Sequence, residues 1–280
     1  MERDVKEDDL SRLCTVLQEV MEEEALSRFG RIDGAEVVTK SSAEDLVTVA
    51  DQAVEARIGA WLRETYPEAL IVGEETAEED PSLLDQIGSA ALSFIIDPID
   101  GTWNYANGVP LFGAILAVCR KGEPVGGLLL DPVRGHAILA TKGAGLRAWT
   151  TNGTTALAKP HGANCHSLNG FLPMMLLPRA SRPALAAAMV DLGRVQSLRC
   201  SCHEYRLFAQ GLADFVVTGL AAKPWDHAVG ALVARERDGV ARFLDGAPYS
   251  AARTTGPLII ARDDETWERV AKCLRTSGIG

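Results

Sequence analysis

The chain has 280 residues, of which 47% are hydrophobic, and its formal net charge is -10. It is therefore long enough to bury a full core, as one large domain or as two closely packed halves. The excess of acidic groups argues against nucleic acid as a general partner, although bound cations would still let a small phosphorylated substrate approach.

The sequence predicts a cytoplasmic protein. No apolar run reaches the length of a membrane span, so we expect no membrane partner. The first residues are charged and lead into a helical pattern, which is not typical of a signal peptide. The six cysteines are scattered without a C-x-x-C pair, and we expect them to be reduced and mostly buried. A zinc site at residues 200–203 (Cys-Ser-Cys-His) is an alternative that lacks a second pair of ligands.

The first half of the sequence begins with helical patterns and continues with strands. Apolar residues at helical spacing predict two helices, which end near Gly30 and at Tyr66. Asp51 falls in the first turn of the second helix, where a carboxylate suits the helix dipole. The predicted strands are 37–39, 70–72, 92–96, 112–119, 125–130 and 137–140, of which the last three form an antiparallel meander.

The second half alternates between strands and helices. The predicted strands are 172–177, 215–217, 240–243 and 258–261, and the predicted helices are 181–192, 203–210, 225–235 and 263–274. This alternation favours a layered α/β (α+β) sandwich. We expect residues 1–147 to form an α+β half and residues 148–280 an α/β half of one compact unit.

Residues 97–104 read Asp-Pro-Ile-Asp-Gly-Thr-Trp-Asn and follow the apolar run 92–96. A buried strand that ends on Asp97, a proline turn and then Asp100 would place two carboxylates around a hard cation. Gly101 and Thr102 offer backbone N–H groups to an anion, so the segment suggests metal-assisted phosphate chemistry. Taken alone it can also be an ordinary turn, since Asp, Pro and Gly are the residues that turns need.

Two further acidic motifs stand near predicted element boundaries. Glu74 follows the strand 70–72, and Asp226 lies in a Trp-Asp pair at the start of a helix. Each has a structural alternative, a solvated acidic loop for Glu74 and a helix N-cap for Asp226. The three acidic motifs in this order are more specific than any one of them.

With these motifs the chain resembles the inositol monophosphatase family of magnesium-dependent, lithium-sensitive phosphatases. The matching segments are 38–42, 45–48, 50–52, 72–75, 96–102, 142–145, 152–153 and 224–228, and the resemblance extends over essentially the whole chain. It implies the sugar-phosphatase, inositol monophosphatase-like fold and a homodimer. It also implies a Mg²⁺-dependent phosphomonoesterase that acts on a small phosphorylated metabolite.

The resemblance implies a magnesium site made of oxygen ligands. These ligands are Glu74, Asp97, the Ile99 carbonyl, Asp100 and Asp226. Oxygen-only ligands suit Mg²⁺, and the charge of the carboxylates allows about two or three divalent ions.

The resemblance also implies substrate-binding and catalytic residues. Asp100, Gly101, Thr102 and Asp226 are the implied substrate-binding residues, with the Gly101 and Thr102 N–H groups on the phosphate. Thr102 and Asp51 are implied as the pair that orients and deprotonates the attacking water. Phosphoryl transfer needs mainly positioning and charge stabilisation, so no nucleophilic serine or cysteine is required.

The chain departs from the family on the side of the substrate alcohol. Residues 218–224 contain no acid, where members that act on inositol phosphates usually carry a glutamate, and residues 199–206 replace the usual Gly-Ser/Thr-Ala segment. We therefore expect that myo-inositol 1-phosphate is not the best substrate. Residues 203–206 either line the leaving-group pocket or form a helix surface with one buried aromatic side chain. Lys223 either meets an anionic part of the substrate or is an ordinary loop lysine. His227 either supports a metal ligand or is an ordinary first-turn helix residue.

Other substrates and another class of function stay open. Histidinol phosphate, fructose 1,6-bisphosphate and 3′-phosphoadenosine 5′-phosphate phosphatases share this metal motif. A catalytically weak relative that binds metal and phosphate as a regulatory module is the non-enzymatic alternative.

Overall fold

The structure is a computed structural model that describes residues 7–31, 37–39, 46–158 and 167–280, without the side chains of residues 37–39 and 46–47. The helices are α1 (Glu7–Met21), α2 (Val49–Thr65), α3 (Glu74–Glu79), α4 (Ser82–Gln86), α5 (Thr102–Ala106), α6 (Arg182–Met189), α7 (Ser201–Ala209), α8 (Pro224–Glu236) and α9 (Asp264–Thr276). The strands of the first half are β1 (Val37–Thr39), β2 (Leu46–Thr48), β3 (Leu70–Gly73), β4 (Ser93–Asp100), β5 (Gly113–Arg120), β6 (Glu123–Asp131), β7 (His136–Thr141), β8 (Gly145–Thr150) and β9 (Gly153–Ala156). The strands of the second half are β10 (Leu168–Phe171), β11 (Gly193–Gln196), β12 (Phe215–Val217), β13 (Val240–Phe243) and β14 (Leu258–Ala261).

Two large sheets organise the described residues. The seven-stranded sheet has the order β3-β4-β5-β6-β7-β8-β9, in which β3 and β4 are parallel and the following neighbours are antiparallel. The five-stranded sheet has the order β11-β10-β12-β14-β13, with parallel pairs on one side and antiparallel pairs on the other. The parallel pairs require helical crossovers, which α6 and α7 supply.

The seven-stranded sheet is covered on both faces. Alternate residues of β4 separate into two hydrophobic cores, because successive side chains of a strand point to opposite faces. Phe94 belongs to the core that contains Leu10 of α1 and Ile58 of α2. Ile95 belongs to the core that contains Val229 of α8. The predicted layered α/β arrangement is confirmed.

The predicted turn after Asp97 is wrong. Strand β4 continues to Asp100, and its pairing with β5 shifts register between Asp97 and Asp100. Because Pro98 has no N–H for the ladder, the chain forms a bulge here and pairs again further along. The chain turns one residue later, at Gly101, whose φ is +90°.

The predicted strand at 172–177 is also wrong. The strand is Leu168–Phe171, and it is followed by a short 3₁₀ turn at Met174–Leu176. Pro173 and Pro178 on either side of this turn remove two ladder donors, so the apolar run does not continue the strand. The hairpin of β8 and β9 and the edge strand β11 were not predicted.

Two predictions fall outside the described residues. These are the match to the family at residues 40–42 and 45 and the state of Cys165. The remaining cysteines are free and buried, as predicted. Among the described residues, no helix combines the length and the apolar character that a membrane span needs.

Two adjacent glycines of β6 test the packing of the sheet. A Cβ at Gly127 would lie 2.7 Å from a Val229 methyl group and 2.9 Å from the Leu116 carbonyl oxygen, whereas a Cβ at Gly126 would make an ordinary contact, 3.4 Å from Leu10. We expect Gly127→Ala to lower the free energy of unfolding by about 1–3 kcal/mol, since neither α8 nor the strand can retreat freely. Gly126→Ala should stay within about 0.5 kcal/mol of the wild type. Urea denaturation measures both, and equal losses would contradict this packing.

Candidate active site

The start of α2 fixes the position of Asp51. The Thr48 hydroxyl accepts from the Ala50 N–H at 3.2 Å, and the Asp51 carboxylate accepts from the Thr48 N–H at 2.9 Å and from its hydroxyl at 2.5 Å. This reciprocal arrangement is a helix capping box. One oxygen of Asp51 is thus held by Thr48, while the other lies 3.2 Å from the Thr102 hydroxyl.

Thr102 begins α5 directly after the turn at Gly101. A Cβ at Gly101 would lie 3.2 Å from the Arg199 carbonyl oxygen and 3.2 Å from the Leu111 carbonyl oxygen, and its φ is in the left-handed region, so glycine suits this position best. The Thr102 hydroxyl lies 3.0 Å from the Ile99 carbonyl oxygen as well as near Asp51. Its single proton serves one of these acceptors at a time.

Three carboxylates meet at the end of β4. Asp97, Asp100 and Asp226 each offer an oxygen within 4.8 Å of the others. Burial and the charge of neighbouring acids, Glu74 first among them, raise the pKa of Asp97 well above its usual value. Burial and the charge of Asp100 raise the pKa of Asp226 to about 7. The cluster therefore repels itself when it is ionised.

The donor set fits a hard divalent cation. Every ligand atom in the group is a carboxylate oxygen, which suits Mg²⁺. Asp97 Oδ1 is buried and has no hydrogen-bond partner among the described residues. A buried acceptor without a donor is unfavourable, and a cation would satisfy it.

Glu74 begins α3 and is oriented by a residue that the sequence did not single out. Glu55 of α2 is buried, and its carboxylate accepts from the Glu75 and Thr76 N–H groups at 2.9 Å each and from the Thr76 hydroxyl. A Cβ at Gly73 would lie 2.0 Å from the Glu55 carboxyl carbon, so glycine is required for this approach. Glu55 lies one helical turn after Asp51, and that spacing was the available signal.

The N-terminus of α7 holds Asp100. Its carboxylate accepts from the Ser201 N–H at 3.1 Å, from the Cys202 N–H and from the Cys200 thiol at 3.1 Å. Burial raises the pKa of Asp100, and these three donors oppose the shift. The Cys202 thiol instead points to the Leu130 carbonyl oxygen at 3.4 Å. The two thiols therefore have different partners, which is not the arrangement of a zinc site.

A buried ion pair attaches α7 to β6. Arg206 donates to Asp131 at 2.6 Å, and both side chains are buried. The same guanidinium group lies 3.3 Å from His203 Nδ1, and the other ring nitrogen of His203 lies 3.1 Å from the Phe112 carbonyl oxygen. Burial and the charge of Arg206 lower the pKa of His203, so its ring is neutral and donates to Phe112. His203 and Arg206 therefore support the helix, while Glu204 of the same segment lines the cavity.

A cavity of about 570 Å³ opens over these groups. Its acidic lining residues are Glu74, Asp100, Asp226 and Glu204, and Gly101 and Thr102 lie among them. Arg199 and Lys223 also line it, the first with its guanidinium 4.0 Å from the centre of the Trp103 ring and the second over Trp225. Met174, Met175 and Leu176 form an apolar wall. The residues singled out from the sequence thus lie in or directly against one site. Glu74 belongs to this site but is not one of the three carboxylates that lie close together.

Removing Glu55 tests the support of α3. In Glu55→Gln the amide oxygen still accepts at one position, but the NH2 group faces a backbone N–H at the other, so we expect a loss of about 1–3 kcal/mol in the free energy of unfolding. Amide hydrogen exchange at Glu75 and Thr76 should accelerate more than elsewhere in the protein. Glu64→Gln, at an exposed position of the same helix, should change neither quantity, and unchanged exchange in Glu55→Gln would contradict the contact.

The raised pKa of Asp226 predicts a pH dependence of stability without divalent cations. An acid whose folded pKa is about 7, against an ordinary 3.8, stabilises the fold fully below pH 4 and loses that contribution as the pH rises to 7. In EDTA, the free energy of unfolding of Asp226→Asn should therefore rise by at least about 1 kcal/mol relative to that of the wild type between pH 5 and pH 7.5. Asp85→Asn, at an exposed position, should follow the wild type, and parallel curves for all three proteins would contradict the raised pKa.

Comparisons with known proteins show the family of the chain. The model of the inositol monophosphatase family matches residues 8–277. Nus factor SuhB of Escherichia coli K12 is 29% identical over 229 residues, which cover 78% of this chain and 79% of the relative.

Two solved structures share the fold. An IMPase of Thermotoga maritima is 23% identical with a TM-score of 0.76, covering 97% of this chain and 100% of that one. An IMPase/NADP phosphatase complexed with Mg²⁺ and phosphate is 21% identical with a TM-score of 0.76, covering 94% of this chain and 93% of that one. The predicted inositol monophosphatase-like fold is confirmed, and with the family model matching nearly every residue, the chain belongs to the inositol monophosphatase family.

Proposed function

We propose that this protein is a Mg²⁺-dependent phosphomonoesterase that hydrolyses a small phosphorylated metabolite. The observation that carries the proposal is the oxygen-only group of Asp97, Asp100 and Asp226, in which a buried oxygen of Asp97 has no donor among the described residues. This group lies beside the Gly101 turn, whose N–H groups suit a phosphate oxygen. A cation position next to an anion position is what phosphate ester hydrolysis requires.

Five residues would hold two or three Mg²⁺ ions. They are Glu74, Asp97, Ile99 through its carbonyl oxygen, Asp100 and Asp226. When bound, such ions supply Lewis acidity that activates water and stabilises the departing oxygen. The neutral donors on Asp100 fix that carboxylate in place before any cation binds.

Thr102 and Asp51 would orient the attacking water and take its proton. When the Thr102 hydroxyl donates to Asp51 over 3.2 Å, its oxygen is free to accept a hydrogen bond from water. The water proton then passes to the Thr102 oxygen as the threonine proton passes to Asp51. Thr48 donates to the other Asp51 oxygen and keeps that carboxylate oriented as an acceptor.

The residues that line the cavity indicate which kind of substrate alcohol it can bind. Residues 218–224 contain no acid, and Lys223 and Arg199 add positive charge to the wall. A polyol ring needs acceptors as well as donors around it, so we propose that myo-inositol 1-phosphate is not the preferred substrate. Histidinol phosphate, fructose 1,6-bisphosphate and 3′-phosphoadenosine 5′-phosphate are the alternatives to be compared with it.

Phosphate release from these four compounds, from sugar phosphates and from p-nitrophenyl phosphate tests the proposal, each with Mg²⁺ and with EDTA. We expect release only with Mg²⁺, and the highest kcat/KM with a compound other than myo-inositol 1-phosphate. Asp97→Asn should lower kcat at least about 100-fold, because it removes a charged group from the reacting centre. Asp85→Asn makes the same change on the surface and should retain full activity.

A second candidate function is a regulatory module that binds metal and phosphate. The curated relative named Nus factor favours it, since that name describes a factor rather than a hydrolase. Mg²⁺ binding by calorimetry without turnover of any phosphate ester would support the module and contradict the phosphatase. An Asp97→Asn variant with wild-type turnover would contradict the metal site itself.

A further inference from the structure

Tyr205 of α7 and His227 of α8 form a buried pair behind the cavity wall. The Tyr205 hydroxyl lies 3.0 Å from His227 Nδ1, and the two rings meet edge to face. Gly230, three residues after His227, makes room for this contact. A Cβ at Gly230 would lie 2.4 Å from the Tyr205 ring, so a larger residue would push the tyrosine away. The three residues thus form one fitted unit across two helices.

The position of the proton on His227 follows from this contact. The Tyr205 side chain is fully buried, and burial raises its pKa well above its usual value, so the phenol keeps its proton. A buried hydroxyl needs an acceptor, and within the described part of the chain His227 Nδ1 is its partner. The hydroxyl therefore donates to Nδ1, and the ring carries its own proton on Nε2.

His227 also lines the cavity, next to Asp226 along α8. Tyr205 lies inside the protein and engages Nδ1, which leaves Nε2 as the polar atom of the ring for the cavity side. Lys223, on the same wall, is likewise a donor. This wall therefore offers hydrogen-bond donors, whereas family members that act on inositol phosphates are expected to carry an acid there.

We propose that His227 determines specificity, with its Nε2–H donating a hydrogen bond to an acceptor oxygen of the leaving group, and that Tyr205 is the residue that positions it. This rests on the proposed phosphatase function. The preferred substrates are phosphomonoesters whose alcohol carries a hydroxyl or carboxylate oxygen close to the ester oxygen. Alcohols without such an oxygen leave the buried donor unpaired and are hydrolysed less efficiently.

A matched pair of substrates tests the proposal. Glycerol 2-phosphate and isopropyl phosphate share a secondary carbon skeleton and differ in the two hydroxyl groups. We expect the wild type to favour glycerol 2-phosphate by about tenfold in kcat/KM, the effect of one well-placed hydrogen bond. Tyr205→Phe keeps the ring beside Gly230 and should reduce this ratio to about two or less.

Tyr105→Phe is the matched control, because it removes another buried hydroxyl, which donates to the Ala25 carbonyl oxygen at 2.8 Å. Its substrate ratio should equal that of the wild type. His227→Ala should lower the ratio as Tyr205→Phe does. An equal loss of kcat/KM for both substrates in these two variants, or a wild type without preference, would overturn the proposal. Absence of phosphate release from both compounds and from the wider panel would instead contradict the phosphatase function.

A spectroscopic measurement needs no substrate. Nitrogen-15 NMR of the imidazole side chains, with His227 assigned from its absence in His227→Gln, reports which ring nitrogen carries the proton. We expect the Nε2–H form in the wild type and a mixture of forms in Tyr205→Phe. A proton on Nδ1 in the wild type would overturn the proposal regardless of the kinetics.

Discussion

Repulsion among buried carboxylates at the end of β4 is the constraint on which the rest of the site depends. Asp97, Asp100 and Asp226 lie close together, and burial raises the pKa of each. Such a group stays together only where neighbouring residues hold its members. Asp100 is held by neutral donors rather than by cations, which leaves its negative charge available to a metal ion.

The supporting contacts come from separate parts of the chain. A capping box at Thr48 orients Asp51, the buried Glu55 binds the first turn of the helix that begins at Glu74, and the N-terminus of α7 holds Asp100. Two glycines belong to this arrangement: at Gly73 a side chain would collide with Glu55, and at Gly101 the left-handed φ favours glycine. The acidic residues are thus surrounded by groups that hold them in position.

The acidic motifs and the layered fold were predictable, because strand periodicity and the order of the motifs are local properties of the sequence. The bulge in β4 was not, since Asp, Pro and Gly together are also typical of a turn. The apolar run at 172–177 was wrongly predicted to be a strand, because hydrophobic periodicity takes no account of the two prolines that interrupt strand pairing. Glu55 was missed for a different reason: its partners lie 20 or more residues away, and only its position one helical turn after Asp51 indicated a role. The contact of Tyr205 with His227, 22 residues away, was not predictable from a local pattern either.

Helix α8 packs on strands β4 to β7 of the seven-stranded sheet, although it belongs to the second half of the chain. Its first turn carries Asp226, and its middle places Val229 against Gly127. The second half therefore completes both the hydrophobic core and the acidic centre of the first. A fragment that held only the first half would lose the cover of one face of this sheet and the third carboxylate of the acidic group at once.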